Sequence, residues 1–289
     1  YALAQDPNAI LFVAPSDHVI PDLFDLHTAV NKGLGEIEKG QIVTFGVKPE
    51  RPETGYGYLE LEQKASDNPV KLKRFVEKPD RQTAEKMFAT GRYLWNAGLF
   101  LFRASDVVDA FHKHAPDLVE PTFHSVKLGC TDFGFWRLDP TSWDNCETIS
   151  FDYAIMEKIN NLSVVPYNSA WSDLGDWESV WRLEEKGNDG VVASENAIAL
   201  DCKDVLLRSE GNGIQLVGLG LQNIVVVAMA DAVLVMNKDK TQDVKEIVAT
   251  LKQRNERTAV SLLTDYRPWG WFEVVGEWDF CKVKRIHVN

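Results

Sequence analysis

Through residue 186 the chain alternates short apolar, β-branched runs with stretches whose apolar residues recur every three or four positions. That is the pattern of strands and helices taken in turn, and it predicts a layered α/β domain. Ile10-Leu11-Phe12-Val13 is apolar without alternation, as expected of a parallel strand covered on both faces. Leu26, Val30, Leu34 and Ile37 then mark one face of a helix over 22–38, closed by Gly40. Strands are expected over 41–47, 56–61, 72–76 and 94–102. Ser105 is placed to cap a helix that turns Val108 and Phe111 inward, and Ser150 to start another through Tyr153, Met156 and Ile159.

After Gly187-Asn188-Asp189-Gly190 the pattern changes to short strand-like runs centred near Ile198, Leu206, Leu216, Val226 and Leu234, separated by Gly, Asn or Asp. Such spacing without helices predicts a small stacked β unit over 187–240, either a β-helix-like solenoid or the edge of a sandwich. Thr241 is placed to cap a linking helix over 241–260, with Val244, Ile247, Val248 and Leu251 on one stripe. From 261 the aromatic run YRPWGWFEVV opens a further element, which ends at residue 289 inside a strand-like run.

The chain has 289 residues with 31 Lys and Arg against 43 Asp and Glu, a formal net charge of −12. A nucleic-acid or anionic-membrane surface needs a basic footprint, so neither partner is expected. A phosphorylated small molecule remains compatible with an acidic protein when a divalent cation bridges the charges. Cys130, Cys146, Cys202 and Cys281 are dispersed, with no CxxC pair, which points to a reducing, cytoplasmic compartment. The most apolar run, 224–236, contains Asp231 and is too short to span a bilayer. A first residue of Tyr1 and a last of Asn289 read as the ends of a fragment.

Several residues carry candidate chemistry. Asp17 follows the first strand, where ligands of α/β sheets gather, and is either a Mg²⁺ ligand or the cap of the next helix. Gly55-Tyr56-Gly57 opens a strand so that a backbone can approach a ligand, or marks a turn. Glu77-Lys78-Pro79 offers an acceptor for hydroxyl groups and an ammonium for a phosphate, or a surface ion pair. Asn96 interrupts an apolar strand with an amide suited to a sugar hydroxyl or to neighbouring backbone. Asp173 supplies a second carboxylate at a strand end, and Asp176 reads as the cap of a short helix. His112 and His114 stand two apart on a helix and point to different faces, so they do not share a metal.

In this order the strings VAPSDHVI, RPETGYGYLE, FVEKP, WNAGLFLF, ISFDYAIMEK and WSDLGDWESVW resemble the sugar nucleotidyltransferases. Within them the chain is most similar to the mannose-1-phosphate guanylyltransferases whose bacterial forms carry a fused mannose-6-phosphate isomerase. The tail, YRPWGWFE and KVKRIHV, is similar to the start of that isomerase's cupin-type barrel.

The resemblance implies a Rossmann-like catalytic domain over 1–186 with a mixed, mostly parallel sheet. A left-handed β-helix-like domain, the linking helix and the start of the barrel over 261–289 follow it. It implies that Asp17 and Asp173 hold Mg²⁺, that Gly55, Tyr56, Gly57, Glu77 and Asn96 contact mannose, and that Lys78 holds its phosphate. GTP and mannose 1-phosphate are the implied substrates, and a homo-oligomer is compatible with it. The family's Gly-rich signature with Arg and Lys is expected upstream of Tyr1 and the isomerase metal ligands downstream of Asn289, so the piece is expected to be inactive alone. The expectation from a different class is a non-catalytic subunit that binds sugar phosphate or assembles with an active copy.

Overall fold

A computed structural model describes residues 1–63, 66–132, 134–210, 214–254, 264–267, 269–278 and 280–288. The end of the expected linking helix (255–260), the first residues of the expected barrel (261–263) and Pro268 lie outside them. The chain forms two compact units, Tyr1–Gly175 and Asp176–Asn289.

In the first unit, α1 (Ala2–Gln5) is one turn and β1 is Ile10–Val13. The Asp22 carboxylate accepts the Asp25 N–H and starts α2 (Leu23–Ile37). Then come β2 (Ile42–Val47), β3 (Tyr58–Leu61), β4 (Val70–Val76), α3 (Arg81–Thr90), β5 (Tyr93–Arg103) and α4 (Ala104–His114). They are followed by α5 (Val119–Lys127), the hairpin β6 (Cys130–Asp132) and β7 (Phe135–Arg137), α6 (Pro140–Trp143), a π-type turn over Asp152–Met156, and β8 (Leu162–Tyr167).

Six strands make one sheet in the order β1-β5-β2-β8-β4-β3, and β3 also pairs with β5. The sheet is mixed as expected, but among the described residues β2–β8 is the one parallel pair. Parallel neighbours need a long crossover, whereas β2, β3 and β4 follow one another without a helix between them.

The parallel direction expected of β1 is also corrected. It runs antiparallel to β5 at the sheet edge, and Ile10, Phe12 and Val13 are 42%, 40% and 44% exposed. An apolar run shows that a strand forms; it does not show which neighbours cover it.

Val43, Phe45, Leu99, Leu101 and Val165 pack under α2 on one face of the sheet. Ile42, Phe75, Phe100, Phe102, Met156 and Leu162 fill the other, against Phe111 and Phe151. Each fully buried side chain of this size contributes roughly 1.5–3 kcal/mol. α2 approaches the sheet through small residues. A Cβ on Gly33 would lie 2.9 Å from Leu101, and Leu34 of the expected stripe is 37% exposed. α4 begins one residue before the expected cap because β5 runs straight into it. Ser105 bonds Asp106 instead of capping, and Val107, not Val108, is buried.

The second unit opens with α7 (Trp177–Leu183), capped by Asp176, whose carboxylate accepts the Ser179 N–H at 2.7 Å. β9 (Val192–Ala193), β10 (Ala197–Leu200), β11 (Leu206–Ser209), β12 (Leu216–Leu219) and β13 (Ile224–Ala228) coil so that alternate strands pair in parallel. A step of 19 residues joins the paired positions Leu206 with Val225 and Ala197 with Leu216, as in a solenoid and not a sandwich. The corners are Asp201, Asp204, Gly220 and Asn223, all with positive φ, the conformation that short polar residues and Gly tolerate. This is why Gly, Asn and Asp punctuate the sequence here.

Trp177, Val180 and Trp181 of α7 pack on Leu206, Val225 and Val227. β14 (Val233–Asn237) closes the unit antiparallel to β13. α8 (Val244–Gln253) follows from a 3₁₀ turn over Lys238–Asp243. Thr241 is not its cap, since its hydroxyl donates to Asp176. β15 (Thr264–Arg267), β16 (Gly270–Trp278) and β17 (Cys281–Val288) form an antiparallel meander.

Among the described residues no helix is long and apolar enough to cross a membrane, and the four cysteines are free.

Candidate functional site

The string WNAG is a bulge. Thr44 pairs with Phe100 and Gly46 with Asn96, so β5 spends two extra residues against β2, and Gly98 takes a φ of 69° to make the detour. Asn96 is the paired residue at which the bulge begins, and it is partly exposed. Its Oδ1 accepts the Thr44 hydroxyl at 2.8 Å and the Gly98 N–H at 3.2 Å, while its Nδ2 donates to Asp152 at 3.1 Å.

The Gly55-Tyr56-Gly57 segment leads into β3 against this bulge, and the Asn96 N–H donates to the Gly57 carbonyl. Gly57 is required for closeness, since a Cβ there would stand 2.6 Å from Glu77 Oε2 and 3.3 Å from Asn96 Cβ. The loop is shaped from below by Glu53, a carboxylate only 3% exposed. It accepts the N–H groups of Thr54 and Gly55 and pairs with Arg51 at 2.9 Å. The Arg51 guanidinium in turn lies 5.4 Å from the Trp95 ring centre. Tyr56 stands edge-on to Trp95 and Trp171 and donates its hydroxyl to Asp173 at 2.7 Å. Burial, with the Asp173 charge beside it, pushes the Tyr56 phenol far above its usual range.

At the end of β4, Glu77 is 5% exposed while its partner Lys78, 2.9 Å away, is 54% exposed. This is not a solvated surface pair. The carboxylate is buried and the ammonium reaches outward. The hydrogen bond with Glu77 holds Lys78 above its usual pKa, with the charges of Glu77, Asp152 and Tyr153 adding to it. Lys78 has a φ of 42°, a strained conformation for a residue with a side chain. Glu157 accepts the Glu77 N–H at 2.9 Å and fixes the turn from the other side. Burial, and then the neighbouring Glu77 charge, raises Asp152 to about 6.

Asp17 and Asp173, far apart in sequence, lie on adjoining segments. Val19 and Ser172 exchange both backbone hydrogen bonds, at 2.8 and 3.1 Å, two residues after the one carboxylate and one before the other. Next to Asp17, His18 accepts the Trp171 indole N–H at Nδ1, and its ring lies against Gly98 of the bulge. It packs the three segments together.

Asp17 is exposed, and Asp173 accepts the Tyr56 hydroxyl and the Gly175 N–H on one oxygen. Among the described residues no cluster of three or more His, Cys, Asp or Glu side chains forms a metal cage. Two carboxylates on adjoining segments suit a hard cation that keeps its waters and takes substrate phosphates, as Mg²⁺ does.

The site residues that the sequence picks out are therefore at one end of the sheet. Two that it does not single out, Glu53 and Asp152, belong there too. Each lies inside a quoted string, but a carboxylate beside Thr-Gly or at a helix start reads as a turn or cap, and burial is visible only in the fold.

The first unit thus sets carboxylates, an amide and a lysine at one end of a mixed α/β sheet, and the chain continues into a β-coil. Residues 1–189 match the family described as Nucleotidyl transferase, and the chain belongs to that family. Residues 195–251 match the MannoseP isomerase/GMP-like beta-helix domain, the coil described above.

The chain is 39% identical over 283 residues to the xanthan biosynthesis protein XanB of Xanthomonas campestris pv. campestris strain B100, covering 98% of this chain and 59% of that protein. It is 36% identical over 288 residues to a mannose-1-phosphate guanylyltransferase of Salmonella montevideo, covering 98% of this chain and 60% of that protein. It thus spans about three fifths of the length of these curated relatives. A crystal structure described as mannose-1-phosphate geranyltransferase from Thermus thermophilus superposes with a TM-score of 0.72. That match is 28% identical and covers 86% of this chain and 72% of that one.

Proposed function

We propose that this chain carries the sugar-phosphate side, and the metal carboxylates, of an enzyme that transfers GMP from GTP to mannose 1-phosphate, giving GDP-mannose and pyrophosphate. The observation that carries the reading is the Glu77–Lys78 pair. A buried carboxylate able to accept sugar hydroxyls is joined at 2.9 Å to an outward ammonium able to hold a phosphate, with Gly57 and Asn96 against it. The names of the relatives supply the base and the sugar.

In this reading Glu77, Asn96 and the Gly55–Gly57 backbone hold mannose, and Lys78 holds its phosphate. A phosphate oxygen attacks the α-phosphorus of GTP in line as the bond to the bridging oxygen of the β-phosphate breaks, and pyrophosphate leaves. The nucleophile is already an anion, so no general base is needed, and catalysis lies in positioning and in neutralising charge. Asp17 and Asp173 would hold Mg²⁺, which supplies neutralisation of the phosphate charges. Tyr56, donating to Asp173, orients that carboxylate. The substrates and the four free thiols fit work in the cytoplasm.

Two measurements test this. Calorimetric titration of the chain with mannose 1-phosphate tests the pocket; failure to bind it removes the sugar-phosphate assignment. Pyrophosphate release by the full-length protein tests the reaction. Asp17→Asn or Asp173→Asn is expected to lower kcat by roughly 10²–10³, the scale of losing a preorganised electrostatic contact. Near-normal turnover in either variant takes that residue out of the site.

A further inference from the structure

Asp152 is buried enough to be costly as a carboxylate, and its contacts lead to the sugar pocket. It heads the π-type turn Asp152–Met156, which Phe151 anchors against Phe100, Phe102 and Phe111 at ring distances of 5.2–6.0 Å. The same segment grips the Glu77 N–H through Glu157. The groups facing the Asp152 carboxyl are the charges of Glu77 and Lys78 from the turn after β4 and the Asn96 amide from β5, with Tyr153 next to it on its own segment.

The Asn96 amide is thereby held in one orientation. Its oxygen faces two donors, the Thr44 hydroxyl and the Gly98 N–H, and its nitrogen faces an acceptor. A flipped amide would set N–H against N–H at Gly98 and oxygen against oxygen at Asp152. One proton of the Asn96 NH₂ goes to Asp152, and among the described residues the other meets no acceptor and can serve a ligand.

We propose that Asp152 is a positioning residue of this pocket: it holds Asn96 so that the amide offers a bound sugar hydroxyl a donor and never an acceptor. Glu77 beside it offers an acceptor and no donor while ionised. The pair therefore offers one donor and one acceptor at fixed places, so a hydroxyl moved by epimerisation loses its partner. The inference rests on the sugar-phosphate reading above, but its first test does not.

That first test is the side-chain ¹⁵N–¹H resonance of Asn96 in the whole chain, assigned by its loss in Asn96→Ser and followed from pH 4.5 to 8. Contact with Asp152 is expected to give a step with a midpoint near 6 in the wild type and none in Asp152→Asn. An Asn96 amide without that step overturns the proposal, whether or not the chain binds sugar phosphate.

The second test is calorimetric affinity for mannose 1-phosphate, glucose 1-phosphate and inorganic phosphate. Asp152→Ala is expected to weaken mannose 1-phosphate about tenfold, near the value of one aligned hydrogen bond, and to narrow its advantage over glucose 1-phosphate. Inorganic phosphate should not weaken. Asp152→Asn should recover most of the loss, because its amide oxygen still accepts from Asn96. Unchanged affinity and discrimination in Asp152→Ala, or parallel weakening of all three ligands, overturns the proposal. A wild type with the resonance step but no mannose 1-phosphate binding defeats the enzyme reading and leaves the held amide standing.

Discussion

The cost of burying Asp152 should be measurable as stability that depends on pH. Its carboxyl sits at about 6 in the fold against 3.8 for the ordinary group, chiefly through burial and then through the Glu77 charge. Between those values the folded chain keeps a proton that the unfolded chain releases, so stability falls as pH rises through the window. Below pH 4 both states are protonated and the cost is absent; above pH 6 it is fully present. Each tenfold change in proton affinity is about 1.4 kcal/mol, which gives about 3 kcal/mol, and partial access to water reduces it to about 2 kcal/mol.

Asp152→Asn removes the charge and its repulsion by Glu77 and keeps an acceptor for Asn96. Its Tm should therefore exceed that of the wild type by roughly 4–8 °C at pH 7.5, with the gap closing by pH 4. Thermal unfolding followed by circular dichroism at both pH values checks this. A gap of equal size at both pH values, or a less stable variant at pH 7.5, refutes the assignment of a destabilising buried charge.

Three further outcomes follow from the same geometry. Gly57→Ala places a methyl 2.6 Å from Glu77 Oε2 and 3.1 Å from Phe75, so it should cost about 1–3 kcal/mol in thermal unfolding and weaken mannose 1-phosphate binding in calorimetry. Lys78→Gly relieves the positive φ of 42° while deleting the ammonium. It should leave Tm within a few degrees and raise the KM for mannose 1-phosphate far more than that for GTP, and equal losses for both would make Lys78 a structural residue. In the second unit, Trp181 donates to the Gly190 carbonyl at 2.8 Å and lies 3.2 Å from the Lys238 ammonium, whose pKa burial pushes down. Trp181→Leu should cost about 3 kcal/mol, read from the urea midpoint of the whole chain.

Local chemistry made much of this protein legible before any fold was known. The cap residue Asp176 and the strands around Leu206, Leu216 and Val226 follow from spacing and residue type, whereas Asp22, not Asp17, caps α2. Such features depend on neighbours within a few residues, which a sequence contains outright.

What the sequence left open depends on partners distant in the chain. Apolar runs do not carry strand direction, so the prevalence of antiparallel pairs, that of β1 with β5 among them, emerged only when the sheet order was known. The choice between solenoid and sandwich was settled by which strands pair, at a 19-residue step. Whether Glu77–Lys78 is a solvated pair turned on a difference in exposure, 5% against 54%, that adjacent residues in a string cannot display. Asp152 and Glu53 owe their surroundings to burial beside residues tens of positions away or under a loop. The free energy of a carboxylate is set by the dielectric and charges around it, and those are properties of the assembled sheet end.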